Sequence, residues 1–266
     1  MSRVCIIQFP TLSMSPSRID YYLKIVKDNG ASLALLGEYV LNSFFTELIK
    51  MPQTLIDEQI LDKKNLMSEL AIKYNLDIIA PFVMKKNDFY IKGVAKFSPN
   101  SFDFWEQNFL INYKHWDERS FFKNNKEKLD LGIFENSGFK FGVMNGFDTH
   151  FDICWQYFLK NKVEVVLVPS ACVFNSNLRW EELLKVRAFT NLCYVLRANR
   201  IGKAKFMDNF DNFYGDSFAV SPNGVVSSRL KDEEGILLFE LSKDELKVEN
   251  ERWKFRDILD NKGFLK

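Results

Sequence analysis

Residues 139–148 read Phe139-Lys140-Phe141-Gly142-Val143-Met144-Asn145-Gly146-Phe147-Asp148. The run from Phe139 to Asn145 has the length and apolar character of a buried strand, and Gly146 breaks it. Outward from this stretch the pattern alternates. A helix is expected from about Phe151 to Leu159, a strand over Val163 to Val168, a helix from about Leu178 to Asn191 and a strand over Cys193 to Ala198. Continuous apolar strands are covered on both faces. Strands alternating with helices in this way predict an α/β layered sandwich.

The amino-terminal half repeats the theme. A strand is expected over Arg3 to Phe9, and a helix from Ser15-Pro16 to about Asp28, stopped by Asn29-Gly30. A strand over Ser32 to Leu36, a helix from about Lys63 to Tyr74 and a strand over Leu76 to Val83 follow. Antiparallel strands are expected around 88–97 and 102–114, joined by Ser98-Pro99-Asn100-Ser101. Shorter strands, with turns at Ser221-Pro222-Asn223-Gly224 and Glu233-Glu234-Gly235, complete the chain.

Composition narrows the function classes. The 266 residues carry a net charge of +1, with 47% hydrophobic and 27% charged residues, so no electrostatic footprint points to nucleic acid or an anionic membrane. No run approaches the ~20 apolar residues of a membrane span, and a cytoplasmic protein is expected. Cys5, Cys154, Cys172 and Cys193 form no CxxC pair, which argues against a disulfide framework or a thiolate metal site. Cys5, Cys154 and Cys193 read as core. Phosphate-binding glycine loops and HExxH are missing, and no metal or cofactor is expected. Gly215-Asp216-Ser217-Phe218-Ala219 lacks the second glycine of a nucleophile elbow, so Ser217 reads as a strand residue. The 26 phenylalanines are most simply a bulky core.

Three segments carry chemistry. They are Leu35-Leu36-Gly37-Glu38-Tyr39, then Asn112-Tyr113-Lys114-His115-Trp116-Asp117-Glu118-Arg119-Ser120-Phe121-Phe122, then Phe141 to Asp148 running on to Val168-Pro169-Ser170-Ala171. In this order they resemble the nitrilase superfamily of carbon–nitrogen hydrolases. The resemblance extends from Gln8 through Trp180, Arg187-Ala188, Asn191, Asn199-Arg200-Ile201-Gly202 and Gly215-Asp216-Ser217 to Pro222-Asn223-Gly224. It implies one domain over residues 1–266, with the tail from about 245 peripheral or at an oligomer interface. It also implies a four-layer α-β-β-α sandwich, a homodimer or larger homo-oligomer, and a small amide or related molecule as ligand.

The family hydrolyses amides and nitriles with a glutamate base, a lysine that stabilises developing negative charge, and a cysteine nucleophile. On this resemblance Glu38 matches the base, Lys114 the lysine, and Glu118 a second glutamate that positions substrate or lysine. Phe147, Asp148, Ser170, Ala171 and Cys172 are the expected substrate-binding residues. The nucleophile position holds Gly146, and Pro169-Ser170-Ala171 follows it at the family spacing without a gap. In the family this cysteine occupies a sharp, strained elbow, so Gly146 is expected to relieve strain and leave room where a thiol would sit. A cysteine restored there is expected to lie near Glu38 and Lys114. Cys172 is a minority candidate for a substitute nucleophile. Thr149 and His150 do not reproduce the arginines that clamp the carboxylate of N-carbamoyl amino acids in some relatives. Three functions remain: a hydrolase of small linear amides using water activated by Glu38, an inactive homologue that binds a ligand or partner, and a Cys-to-Gly variant of an active amidohydrolase.

Overall fold

The computed structural model describes residues 2–206 and 209–265. Along the chain lie β1 (Ser2–Gln8), α1 (Ser17–Asp28), β2 (Leu33–Leu36), α2 (Phe45–Leu48), α3 (Gln53–Tyr74), β3 (Asp77–Lys86), β4 (Phe89–Phe97) and β5 (Phe102–Glu106). Two short strands follow, β6 (Asn112–Tyr113) and β7 (Trp116–Asp117). The second half contains β8 (Gly132–Asn136), β9 (Phe139–Val143), α4 (Asp152–Lys160), β10 (Val165–Ser170), α5 (Asn177–Asn191) and β11 (Tyr194–Asn199). It continues through β12 (Ile201–Phe206), β13 (Asn209–Tyr214), β14 (Phe218–Val220), β15 (Val226–Arg229), β16 (Gly235–Leu241), α6 (Lys243–Trp253) and α7 (Phe255–Asn261).

Two six-stranded sheets form the frame, ordered β16-β1-β2-β3-β4-β5 and β15-β14-β11-β10-β9-β8. The alternation of side chains along each strand explains the layering. In β2, Leu33 and Leu35 join a core with Phe141, Val165, Leu167 and Leu196 between the sheets, while Ala34 and Leu36 pack with Leu23, Val26, Met67 and Leu70 of α1 and α3. In β10, Val165 and Leu167 face inward, while Val166 and Val168 meet Trp155, Phe158, Leu184 and Ala188 of α4 and α5. Each central strand is therefore buried on both faces, and the layers run helix, sheet, sheet, helix. Cys5 lies in the first helix–sheet core, and Cys154 and Cys193 in the second, as expected.

Three segments differ from expectation. Helix α3 starts at Gln53 rather than Lys63, directly after Pro52, and buries Ile56 as well as Met67, Leu70 and Tyr74. The strand expected over 102–114 ends at Glu106. There the Glu106 carboxylate accepts the Asn125 N–H at 2.7 Å and the Gln107 amide donates to the Phe109 carbonyl at 2.6 Å. These side-chain bonds satisfy the backbone locally while the chain leaves the first sheet. The carboxy-terminal segment forms two helices. The Ser242 hydroxyl caps α6, Leu246 and Glu249 of α6 are buried, and Arg256 of α7 donates to the carbonyls of Val163 and Asn191. Among the described residues no helix is long and apolar enough to cross a membrane.

Leu167 is fully buried between the sheets, whereas Leu178 on α5 is 65% exposed. In urea denaturation Leu167→Ala is expected to cost about 2–5 kcal/mol and Leu178→Ala to stay within about 0.5 kcal/mol of the parent.

Candidate functional site

Glu38 sits just beyond β2, where the ends of both sheets meet. A Cβ on Gly37 would come within 2.9 Å of the Arg200 nitrogen and 3.2 Å of the Ser170 oxygen, so only glycine permits this approach. The Ser170 carbonyl accepts N–H bonds from Glu38 at 3.1 Å and Arg200 at 3.2 Å, tying β2, β10 and β11 together. Tyr39 follows in a left-handed conformation, φ +56°, held because its carbonyl accepts from the Thr11 hydroxyl and the Arg200 guanidinium. Such a backbone costs on the order of 1–3 kcal/mol at a non-glycine residue.

The cation beside Glu38 is Lys92, from the middle of β4. Its Nζ donates to Glu38 Oε1 at 3.2 Å and to Glu118 Oε1 at 2.5 Å. The Tyr39 hydroxyl donates to the same Glu118 oxygen, and the Ile111 N–H donates to Glu118 Oε2 at 3.2 Å. Glu38 Oε2 accepts the Ala171 N–H at 3.1 Å. All three charged groups are buried. Burial, opposed by the Lys92 ammonium and reinforced by the Glu118 carboxylate, raises the Glu38 carboxyl above its ordinary range. Burial alone would depress Lys92, but Glu118 and Glu38 outweigh it and hold the ammonium above its ordinary value.

Lys114, the expected lysine, is not brought to Glu38. Tyr113 pairs with Trp116 in the β6–β7 hairpin, which leaves Lys114 and His115 as its two-residue turn. Lys114 is exposed and lies in a shallow groove with Asn112, Asp117, Arg119 and Ser120. The hairpin presents Tyr113, His115 and Trp116 to the cavity above Glu38 instead. Glu118 does position a lysine, but that lysine is Lys92.

Gly146 opens a 3-10 turn, Gly146–His150, at the end of β9. Its backbone is not left-handed, so the expected relief of strain is not what glycine supplies here. Nor would a Cβ fit there without a shift of its neighbours. A Cβ on Gly146 would meet the Ser170 Cβ at 2.8 Å, the Ser170 Cα at 3.3 Å and the Pro169 oxygen at 3.4 Å. Glycine here lets β10 pack closely against the turn. Ser170 is locked in that place, its hydroxyl donating to Asn199 Oδ1 at 3.1 Å.

The cavity over Glu38 has a volume of about 500 Å³, within the range of small-molecule sites. Of the residues expected at the site, Gly146, Phe147, Ser170, Ala171 and Cys172 line it and Asp148 does not. Asp148 is buried away from the cavity, and its Oδ1 accepts the Phe109 N–H at 3.0 Å. Burial, partly offset by these backbone N–H groups, pushes its carboxyl up to about 7. The Cys172 thiol is raised by burial, against the pull of the Arg197 guanidinium, which opposes a thiolate nucleophile. Phe174 stands 55% exposed at the mouth with φ +66°, an unusual backbone for a bulky residue and one that serves no core.

Sequence reasoning missed Lys92, Tyr113 and Phe174. Lys92 carried a signal: it is a charged residue inside Phe89-Tyr90-Ile91-Lys92-Gly93-Val94-Ala95, otherwise apolar and uncharged.

Comparison with known proteins gives a consistent picture. A model of the carbon–nitrogen hydrolase family matches residues 13–248. A probable nitrilase of Schizosaccharomyces pombe is 29% identical over 185 residues, 68% of this chain and 65% of that protein. The N-carbamoylputrescine amidase of Oryza sativa subsp. japonica is 20% identical over 274 residues, covering 96% of this chain and 90% of the relative. The carbon–nitrogen hydrolase of Helicobacter pylori G27 superimposes with a TM-score of 0.82 at 19% identity, over 96% of this chain and 93% of the other. A glutamate-to-glutamine mutant of the amidase from Nesterenkonia sp. AN1, showing the result of Michael addition of acrylamide at its active-site cysteine, gives 0.77 at 18% identity, over 95% and 99%.

Two substitutions and a titration test this geometry. Lys92→Met leaves two buried carboxylates without their cation and is expected to cost about 3–5 kcal/mol, whereas Lys114→Met stays within about 0.5 kcal/mol. Asp148 has a folded pKa above its unfolded value, so the unfolded chain loses its proton first as pH rises. Its contribution to stability is therefore lost between about pH 4 and about pH 7. Asp148→Asn keeps an oxygen acceptor and is expected to flatten stability over that window in urea titrations.

Proposed function

This chain belongs to the carbon–nitrogen hydrolase family, and we propose that within it the chain has lost thiol-dependent hydrolysis and uses the cavity over Glu38 to bind a small ligand. The observation that carries this reading is the packing at position 146. Residue 146 carries no thiol, and a Cβ there would come within 2.8 Å of the Ser170 Cβ, so a side chain at this position requires Ser170 to shift. The remaining groups are arranged for structure and electrostatics. Glu38 has one oxygen on Lys92 and the other on the Ala171 N–H, and Glu118 is covered by Lys92, Tyr39 and Ile111.

Magnitudes favour binding over turnover. Removing the nucleophile from a coupled catalytic set leaves roughly 10³–10⁴-fold acceleration over water. Uncatalysed amide hydrolysis is so slow that this residue has no practical rate. A second reading keeps hydrolysis with a water molecule in place of the thiol. It draws support from the raised Glu38 carboxyl at the cavity, since a general base works best with a pKa near the operating pH.

Ammonia release and intact-mass measurements with a series of small linear amides separate these readings. The wild-type chain is expected to release no ammonia above background and to carry no acyl adduct. Turnover abolished by Glu38→Gln would establish the water mechanism and overturn the binding reading. Gly146→Cys is expected to lose about 1–3 kcal/mol from displacement of Ser170 and to remain without turnover. A stable, active Gly146→Cys chain would instead support the view that the glycine is a local variant of a working hydrolase.

A further inference from the structure

The cavity has an unbalanced charge at its floor and an aromatic wall around it. Two carboxylates, Glu38 and Glu118, share the single ammonium of Lys92, so one negative charge is uncompensated when both are ionised. Glu38 is the member of the pair that lines the cavity, and burial without a second cation raises its carboxyl, so a counter-ion arriving there stabilises its ionised form. Among the described residues the neighbouring cations do not supply the balance. Arg197 is fully buried behind Cys172 and Trp180 and is paired with Asp216 at 3.7 Å. Arg200 donates to the Tyr39 carbonyl and stacks over Phe213. Arg179 is exposed at the rim.

Above the floor the rings touch in series. Phe174 meets His115 at 5.4 Å, His115 meets Tyr113 at 5.7 Å, and Tyr113 meets Phe147 edge-on at 5.7 Å. Phe147 meets His150 at 5.7 Å, and His150 meets Trp180 at 5.1 Å. Aromatic faces attract a cation, most strongly where water is excluded. The left-handed backbone of Phe174 holds one of these rings at the mouth, where it adds little to folding.

Resting on the ligand-binding reading above, we propose that the cavity takes a small organic ammonium ion. Its charged nitrogen lies against the Glu38 carboxylate, supplying the missing positive charge, and its apolar or aromatic body packs within the collar of rings. No bond is made or broken. Each Glu38 oxygen already accepts one N–H, and each retains a lone pair for the incoming donor. Anionic ligands of the same size meet the uncompensated carboxylate and are rejected, so the same feature selects against carboxylates.

Calorimetric titration of the full chain with three isosteric probes tests this: 2-phenylethylammonium, 2-phenylethanol and phenylacetate. The ammonium is expected to bind at least tenfold more tightly than the alcohol, and the carboxylate more weakly than either. This order is measured on the unmodified chain, so it does not depend on a variant folding. Glu38→Gln is expected to reduce the ammonium's affinity about tenfold and to leave the alcohol's within twofold. Phe174→Gly is expected to weaken the ammonium and the alcohol together while raising thermal stability.

Equal binding of ammonium and alcohol, tightest binding of phenylacetate, or no binding by any probe overturns the ammonium inference. A ligand preferring the neutral or anionic form still leaves a binding cavity. Hydrolysis of phenylacetamide by the wild-type chain overturns the underlying reading whatever the order of affinities.

Discussion

A single ammonium buried between two carboxylates sets the conditions for the rest of this site. Lys92 comes from the middle of β4, Glu38 from the end of β2, and Glu118 from the turn after the β6–β7 hairpin. Removing three charges from water costs several kcal/mol per ion, and only their mutual attraction and additional hydrogen bonds offset it. Those bonds come from Tyr39, next to Glu38, from Ile111, just before the hairpin, and from Ala171, just beyond β10. The position of the hairpin, the left-handed turn at Tyr39 and the approach of β10 are thus coupled to one electrostatic centre. Among the described residues its two carboxylates share one ammonium, and Glu38 is the member at the cavity wall.

The glycine at position 146 has a packing role. Gly146 has an ordinary backbone, and what it permits is the contact with Ser170. Ser170 in turn receives the N–H groups of Glu38 and Arg200 on its carbonyl and donates its hydroxyl to Asn199. The residue that a Cβ at position 146 would crowd is the one that joins the two sheets, so a side chain there disturbs a junction of the fold.

Layering was legible because it depends on local pattern. The apolar runs at Ile6, Leu35, Val143, Leu167 and Leu196 identify strands covered on both faces, and the helices between them follow from caps and periodicity. Glu38, Glu118 and Gly146 were singled out by register within the family resemblance, and the structure places Glu38 and Gly146 at one cavity and Glu118 on the lysine beside it. Lys92 was not, because its role is created by tertiary contact: β4 lies two strands from β2, and nothing in local spacing says that their ends share a charge. Lys114 misled for the complementary reason. Its place in the motif suggests a site residue, but the two-residue turn between Tyr113 and Trp116 sends it to solvent. The space at Gly146 is also a long-range property, decided by where β10 ends.

Lysine side-chain ¹⁵N resonance measurements test the centre of this account directly, since they identify which ammonium is buried and hydrogen-bonded. The account predicts that among the slowly exchanging signals of buried lysines such as Lys63 and Lys92 one disappears in Lys92→Met, shifts in Glu38→Gln, and is unaffected by Lys114→Met. A protected signal that belongs to Lys114, with Lys92 exchanging freely with water, would contradict it.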